Sequence, residues 1–231
     1  MTEGLGSSVD WSGGTADGAG PRYWGVAIQT VDLSKLDPYL ESVSDQEGAL
    51  TEALGFTGRL VLRSQRRSDR FWLIDGWSDQ RSLETAAITL RTLSSVAGLV
   101  EEPRVIGARE VAVGGPANPP LTPVAAREPG QLPFYMIAEN WIKRVSMDQY
   151  MEMQERFTID LQAEPGYGRR MLLQDLSEET HYLVLDQWES EQLAFEAFER
   201  RQETFSQTEM QRFMGLMSKR GEPDFALGIH G

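Results

Sequence analysis

Short apolar runs and longer stretches of helical spacing follow one another along this chain, and the whole series occurs twice. Tyr23 to Val31 and Phe134 to Ile142 are short and rich in β-branched and aromatic residues, which predicts a strand at the head of each series. A helix follows each. Leu36, Leu40, Val43, Leu50 and Leu54 form one apolar stripe; Met147, Tyr150, Met151, Phe157 and Leu161 form the other. Asp37 before Pro38 predicts a cap with proline at the first helical position, and Ser146 with Gln149 predicts a capping box. Gly55 and Gly166 stand where a left-handed helix terminus favours glycine. Two hairpins come next, Arg59–Arg63 with Phe71–Trp77 and Arg170–Gln174 with Tyr182–Trp188. Second helices span about Ser82–Ala97 and about Glu191–Met217. Val105–Val113 and Phe225–Ile229 close the two series.

The two series keep a fixed register. Asp37, Tyr39 and Glu41 return as Asp148, Tyr150 and Glu152, an offset of 111 (37 + 111 = 148). Gly55 and Phe56 return as Gly166 and Tyr167, Arg59 and Leu62 as Arg170 and Leu173, and Trp77 as Trp188. Such self-similarity marks a tandem repeat. The register drifts beyond Trp77 and Trp188. The expected division is a disordered tail over 1–21, one repeat over 22–113, a Pro/Gly-rich linker over 114–132 and a second repeat over 133–231. Each repeat reads β-α-β-β-α-β, a ferredoxin-like α+β unit with both helices on one face of an antiparallel sheet. The bare faces need covering, so two tandem ferredoxin-like repeats should pack sheet to sheet as an intramolecular pseudo-dimeric α/β barrel.

Composition narrows the function. A net charge of −13 opposes a nucleic-acid backbone or an anionic membrane surface as partner. Cysteine is absent, so the sequence holds no disulfide, thiolate nucleophile or zinc-thiolate site. No apolar run approaches the roughly 20 residues of a membrane span, and the first residues lack the pattern of a secretory signal, which together predict a cytoplasmic protein. We find no phosphate loop, dinucleotide fingerprint or nucleophile motif.

Met136-Ile-Ala-Glu-Asn-Trp141 resembles the first strand of antibiotic biosynthesis monooxygenase domains. Asp186-Gln-Trp-Glu-Ser-Glu-Gln-Leu-Ala-Phe195 resembles their third strand running into the second helix. The resemblance covers roughly residues 22–230 and is strongest in the second repeat. It implies the dimeric α/β barrel fold and a small aromatic substrate such as a polycyclic phenol, anthrone or hydroquinone, in a setting such as polyketide tailoring. It implies oxidation without a metal, with molecular oxygen as co-substrate and no required cofactor, reduced flavin being a variant. A non-catalytic binding or structural member of the fold, or a heme-binding member, are the alternatives. The heme-degrading branch places its axial histidine in the second helix; here that helix, from Phe198 to Met210, has none. The implied assembly is a monomer with an internal pseudo-dimer, or a homodimer.

Asn140 is the candidate catalytic residue. Strand alternation sets it with Met136, Ala138 and Ile142 on the face toward the helices, as an amide that orients a substrate oxygen or dioxygen, or as a structural amide. Gln29 takes its place in the first repeat. Met136, Tyr150, Met151, Tyr167, Trp188 and Phe198 are the candidate substrate lining, in a methionine-rich second repeat suited to a flat ligand. The recurrence of Tyr150 at Tyr39 and of Trp188 at Trp77 favours packing for those two. Glu139 and Trp141 should point into the barrel, where Glu139 could pair with an arginine of the other repeat. His181, at the start of a hairpin arm, is expected to be solvated, and with His230 it makes a poor metal site.

Overall fold

The structure is a computed structural model; it describes residues 22–92, 98–111, 133–204 and 207–230. The expected tail over 1–21 and linker over 114–132 lie essentially outside these residues. The first repeat runs β1 (Tyr23–Thr30), α1 (Leu36–Thr51), β2 (Phe56–Ser64), β3 (Arg70–Trp77), α2 (Gln80–Thr92) and β4 (Arg104–Glu110). The second runs β5 (Phe134–Ile142), α3 (Met147–Gln162), β6 (Tyr167–Asp175), β7 (His181–Trp188), α4 (Glu191–Thr204), α5 (Gln207–Leu216), β8 (Met217–Arg220) and β9 (Asp224–His230). The offset of 111 governs the element bounds themselves: 36 to 51 becomes 147 to 162, 56 to 64 becomes 167 to 175, and 70 to 77 becomes 181 to 188. The closing strands differ by 120 (104 + 120 = 224), and the added length accompanies α5 and β8, which the apolar pattern did not separate from a single long helix.

Eight strands close into an antiparallel barrel in the order β7-β6-β4-β1-β3-β2-β9-β5, with β5 returning to β7 and β8 added at the end of β5. The closing strand of each repeat crosses to the other. β4 pairs with β6 through Ala108↔Asp175, Arg109↔Gln174 and Glu110↔Leu173. β9 pairs with β2 from Val61↔His230 to Ser64↔Ala226. The two sheets are thus joined at both edges, and no strand edge of the barrel is left open for association at these seams.

Alternation along every strand divides the side chains between two environments. Inside the barrel lie Trp24, Val26, Leu60, Leu62, Trp72, Ile74, Ile106, Tyr135, Ile137, Met171, Leu173, Leu183 and Leu185, packed as one core. Outside, the helices cover Tyr39, Val43, Val61, Phe71 and Leu73 in the first repeat, and Ile142, Tyr150, Met151, Leu172, Tyr182 and Val184 in the second.

Several local expectations need correcting. A single 3-10 turn precedes each first helix; α1 starts at Leu36 with Lys35 rather than Asp37 at its cap position, and Ser146 stands at the cap position of α3 but makes no side-chain cap bond. Pro38 still sits in the first turn, where its missing N–H costs nothing. Leu54 falls beyond the end of α1 and is 90% exposed. On α3 the inward positions include the polar Gln154 and Thr158, while Phe157 turns toward Phe213 of α5, 5.3 Å between ring centres. Gly55 and Gly166 do adopt left-handed backbone, φ +83° and +73°, in the turns that lead into β2 and β6.

Candidate functional site

Asn140 points from β5 toward α3, as alternation requires, and is buried. Its Nδ2 donates to the phenol oxygen of Tyr150 at 3.2 Å. Tyr150 is also hydrogen-bonded to Gln154, one turn along α3. Gln154 Oε1 accepts from Arg170 at 2.7 Å. Arg170, on β6, binds Asp186 of β7 through two parallel bonds of 2.8 and 2.9 Å, and Tyr167 donates to the same carboxylate at 3.2 Å. A single polar chain thus runs beneath the helices from Asn140 to Tyr167.

Its electrostatics follow from burial. Desolvation pushes the Tyr150 and Tyr167 phenols well above their ordinary range, so both are neutral donors rather than bases. Burial disfavours the charge of Arg170, but Asp186 more than offsets this and holds its pKa above the ordinary value. Tyr182, whose ring lies 5.3 Å from that of Tyr150, is pushed up to about 12, first by burial and then by Glu179.

The first repeat carries the same frame. Tyr39 donates to Gln29 Oε1 at 2.6 Å, and Arg59 binds Asp75 at 2.7 and 2.8 Å. Arg59 reaches the Val43 carbonyl where Arg170 reaches Gln154 (43 + 111 = 154). Two differences mark the second repeat. Its amide is one methylene shorter and makes the longer contact, and its helix supplies a side-chain acceptor in place of a backbone one.

The expected site residues divide. Tyr150 and Met151 share one packing cluster with Tyr182 and Met217, and Asn140 joins it through its bond to Tyr150. Met136, Tyr167 and Trp188 pack with Phe134 and Leu161 in another, and the polar chain joins the two through Tyr167. Phe198 is 41% exposed on α4. The buried indole N–H groups of Trp77 and Trp188 have no acceptor among the described residues, and because this holds in both repeats it belongs to their shared packing. A groove does open on the second repeat. It lies between α3 and α5, lined by Met153, Phe157, Arg156, Glu209 and Arg212 among others, rather than between sheet and helices. Phe213 connects its Phe157 wall to Tyr150, stacking on the tyrosine at 6.1 Å.

The barrel interior holds what the sequence reading missed. Glu139 points inward and pairs with Arg104 of the first repeat at 2.7 Å, as expected. His181 is buried, 1% exposed, rather than solvated. Alternation was the available signal: His181 shares its face with Leu183 and Leu185, which line the core. Its Nδ1 lies 2.9 Å from Asp175 Oδ2 and its Nε2 3.3 Å from Glu139 Oε2. Each nitrogen faces a different carboxylate, so the three do not converge on one point. Among the described residues no group of three or more His, Asp or Glu side chains is placed to hold a metal ion. An axial role toward heme does not fit either, since both ring nitrogens of His181 are turned to carboxylates.

Residues 133–212 match the model of the antibiotic biosynthesis monooxygenase family. No curated protein matches the sequence significantly. Solved structures resemble the chain in fold. An anthrone oxidase-like protein is 14% identical with a TM-score of 0.64, covering 90% of this chain and 92% of its own. A monooxygenase candidate from Fusobacterium nucleatum is 8% identical with a TM-score of 0.67, covering 91% and 96%. A ferredoxin-fold protein from Listeria monocytogenes, related to antibiotic biosynthesis monooxygenases, is 11% identical with a TM-score of 0.52, covering 90% and 95%. The residues that match the family model, 133–212, are preceded in the same chain by a second ferredoxin-like unit that completes the barrel.

Proposed function

We propose that the second repeat oxidises a small polycyclic phenol, anthrone or hydroquinone with molecular oxygen, and that Asn140 is the residue that polarises the reacting oxygen. The observation that carries this is the contrast between the two amide–phenol pairs. Gln29 and Tyr39 are locked at 2.6 Å, whereas Asn140 and Tyr150 meet at 3.2 Å, inside the matched domain and beside the methionines of α3 and β8. The longer bond is the easier to exchange for a substrate oxygen.

For an anthrone the balance closes without an outside reductant. The methylene carbon loses both C–H bonds and becomes a carbonyl, one oxygen atom enters the product, and the other leaves as water with the two hydrogens. Once deprotonated, such a substrate supplies the electrons itself. The protein's part is to exclude water, hold the ring against Met and Tyr side chains, and donate hydrogen bonds from Asn140 and neutral Tyr150 to the developing oxyanion. No step is assigned to flavin.

One observation favours a second reading, a non-catalytic binding member. The amide–phenol and Arg–Asp pairs occur in both repeats, as struts between sheet and helix would. Oxygen uptake with a reduced anthrone or hydroquinone, with and without reduced flavin, decides between them. Uptake above that of free substrate, lost in Asn140→Ala and kept in Gln29→Ala, is the expected result. Uptake no faster than autoxidation in both arms leaves the binding reading.

A further inference from the structure

One mouth of the barrel carries a row of charges that the proposed oxidation does not use. Arg104, at the start of β4, reaches Glu139 Oε2 at 2.7 Å. The same oxygen lies 3.3 Å from His181 Nε2, an ion-pair contact outside good hydrogen-bond alignment. His181 Nδ1 makes a hydrogen bond with Asp175 at 2.9 Å, and Asp175 also accepts two bonds from Ser177 at 2.7 Å. Trp141 stacks on the imidazole at 4.3 Å and 12°. Trp141 itself donates to Glu178 and has Lys219 4.2 Å from its ring centre. Glu178, Glu179, Arg144 and Lys219 complete the charges around the ring, all at the exposed rim.

An ionised carboxylate only accepts, so a ring nitrogen that faces one is satisfied only when it carries hydrogen. Neutral imidazole has one N–H and would turn a lone pair toward the other anion. Imidazolium serves both. With it, Arg104, Glu139, His181 and Asp175 alternate in sign and sum to zero; without it the row is left with a net negative charge where little water reaches.

The position gives this row a task. Asp175 ends β6 and pairs with Ala108 of β4, so the cluster sits on the β4–β6 seam, three residue pairs long, that joins the two repeats. Arg104 comes from the first repeat and the other three from the second. We propose that His181 is a proton-operated clamp on this seam: its imidazolium ties Asp175 to Glu139, Glu139 holds Arg104 of the first repeat, and loss of the proton loosens the junction.

Burial works against the charge of His181, but the carboxylate of Glu139 and the hydrogen bond and charge of Asp175 outweigh it and raise its pKa above the ordinary 6.5. Glu139 and Asp175 resist burial in the same way and lie below their ordinary values. A raised histidine gives its full stabilisation below its unfolded value and loses it as pH climbs through the folded one. Lowered carboxylates give theirs above their unfolded values and lose it as pH falls. The clamp is therefore strongest in mild acid and weakens on the alkaline side of the His181 titration.

His181 and His230 are the two histidines of the chain. His230→Gln leaves a single imidazole, whose Cε1–H resonance can be followed from about pH 5 to about pH 9. The expected midpoint lies above 6.5 and moves down when either Glu139→Gln or Asp175→Asn is added. Amide exchange supplies a second reading on the intact clamp. Across that midpoint the β4–β6 seam should lose protection relative to the β2–β9 seam, a ratio that cancels base catalysis of exchange, and His181→Gln should abolish the change. A midpoint at or below 6.5, a midpoint indifferent to both carboxylate substitutions, or a constant ratio between the seams would overturn the proposal.

Discussion

The two repeats agree on the face toward their helices and disagree at the mouths of the barrel. Under the helices, Arg59–Asp75 becomes Arg170–Asp186, Tyr39–Gln29 becomes Tyr150–Asn140, and Trp77 becomes Trp188, each at the offset of 111. At the mouths the same offset turns Ser64 and Arg70 into Asp175 and His181. The partners invert with them. Asp224, which opens β9, accepts from Ser64 at 2.6 Å and Trp72 at 3.0 Å and lies 4.0 Å from Arg70. Arg104, which opens β4, instead meets an acid. The helix-facing pairs hold the fold and resist change. The mouths tolerate opposite charges as long as each is internally balanced, and His181 lies at the one built on Arg104 and Glu139.

The largest effect expected from breaking this comparison is on the shared frame. Asp75→Ala and Asp186→Ala each strand a buried guanidinium that had two charged hydrogen bonds. Removing one partner of a buried ion pair costs about 3–5 kcal/mol. Denaturant midpoints should fall by similar amounts in the two variants, because the geometry of the pairs is the same to within 0.1 Å. A loss confined to one variant would show that the repeats do not share their frame.

That frame was largely legible in the sequence, and the mouths were not. Register from Asp37 to Trp77 and from Asp148 to Trp188 fixes α1, β2 and β3 with their counterparts α3, β6 and β7, because apolar spacing and glycine positions are local signals. The position of Asn140 and the inward turn of Glu139 followed from alternation alone. His181 was misjudged because it directly follows the polar turn 176–180, and composition of a hairpin arm outweighed the strand phase that places it with Leu183. The cap at Asp37 failed because an unsignalled 3-10 turn leads straight into α1 at Leu36, and Ser146, though at the cap position of α3, directly follows such a turn and makes no cap bond. What gathers around His181 depends on β4 crossing to β6, a contact between residues far apart in sequence that no local pattern encodes.

Asn140 and Gln29 test whether the difference in amide length matters to chemistry. Asn140→Ala should slow turnover roughly a hundredfold, about 3 kcal/mol of barrier, if its amide donates in the transition state. Gln29→Ala should leave the rate alone. Gln29→Ala should lose stability by about 1–3 kcal/mol, since it strands the buried Tyr39 phenol, and Asn140→Ala by less, since Tyr150 keeps Gln154. Oxygen uptake beside thermal unfolding separates the two effects. Equal rates with a lowered midpoint in each would make both amides struts and remove Asn140 from the site.

Glycine gives a smaller contrast. Gly55→Ala and Gly166→Ala both force a side chain onto left-handed backbone, at roughly 1–2 kcal/mol. A new Cβ would also come within 2.5 Å of Ser82 Oγ in the first repeat and 2.3 Å of Leu193 Cδ1 in the second. Leu193 Cδ1 is the far end of a side chain whose Cβ lies 3.2 Å away, whereas Ser82 Cβ itself would be met at 2.8 Å and no rotation clears it. The thermal midpoint should therefore drop further for Gly55→Ala.

The smallest effect is expected at a pair that only one repeat possesses. Arg144 and Glu179 form an ion pair of 3.0 Å at the clamp mouth, with side chains 76% and 57% exposed. Their counterparts in the first repeat are Leu33 and Ser68 (144 − 111 = 33; 179 − 111 = 68), so that repeat does without the pair. Ions this exposed remain hydrated and screened, and such pairs contribute about 0–1 kcal/mol. Arg144→Ala should shift the unfolding midpoint little, and less still in high salt. It should also leave the His181 titration almost where it was, because Glu139 and Asp175, not Glu179, face the ring nitrogens. A clear downward shift of the histidine midpoint in Arg144→Ala would run against the clamp's geometry. Removing a nearby positive charge can only favour imidazolium, so a fall would mean that Arg144 orders the turn 176–180 and, through it, the Asp175 contact.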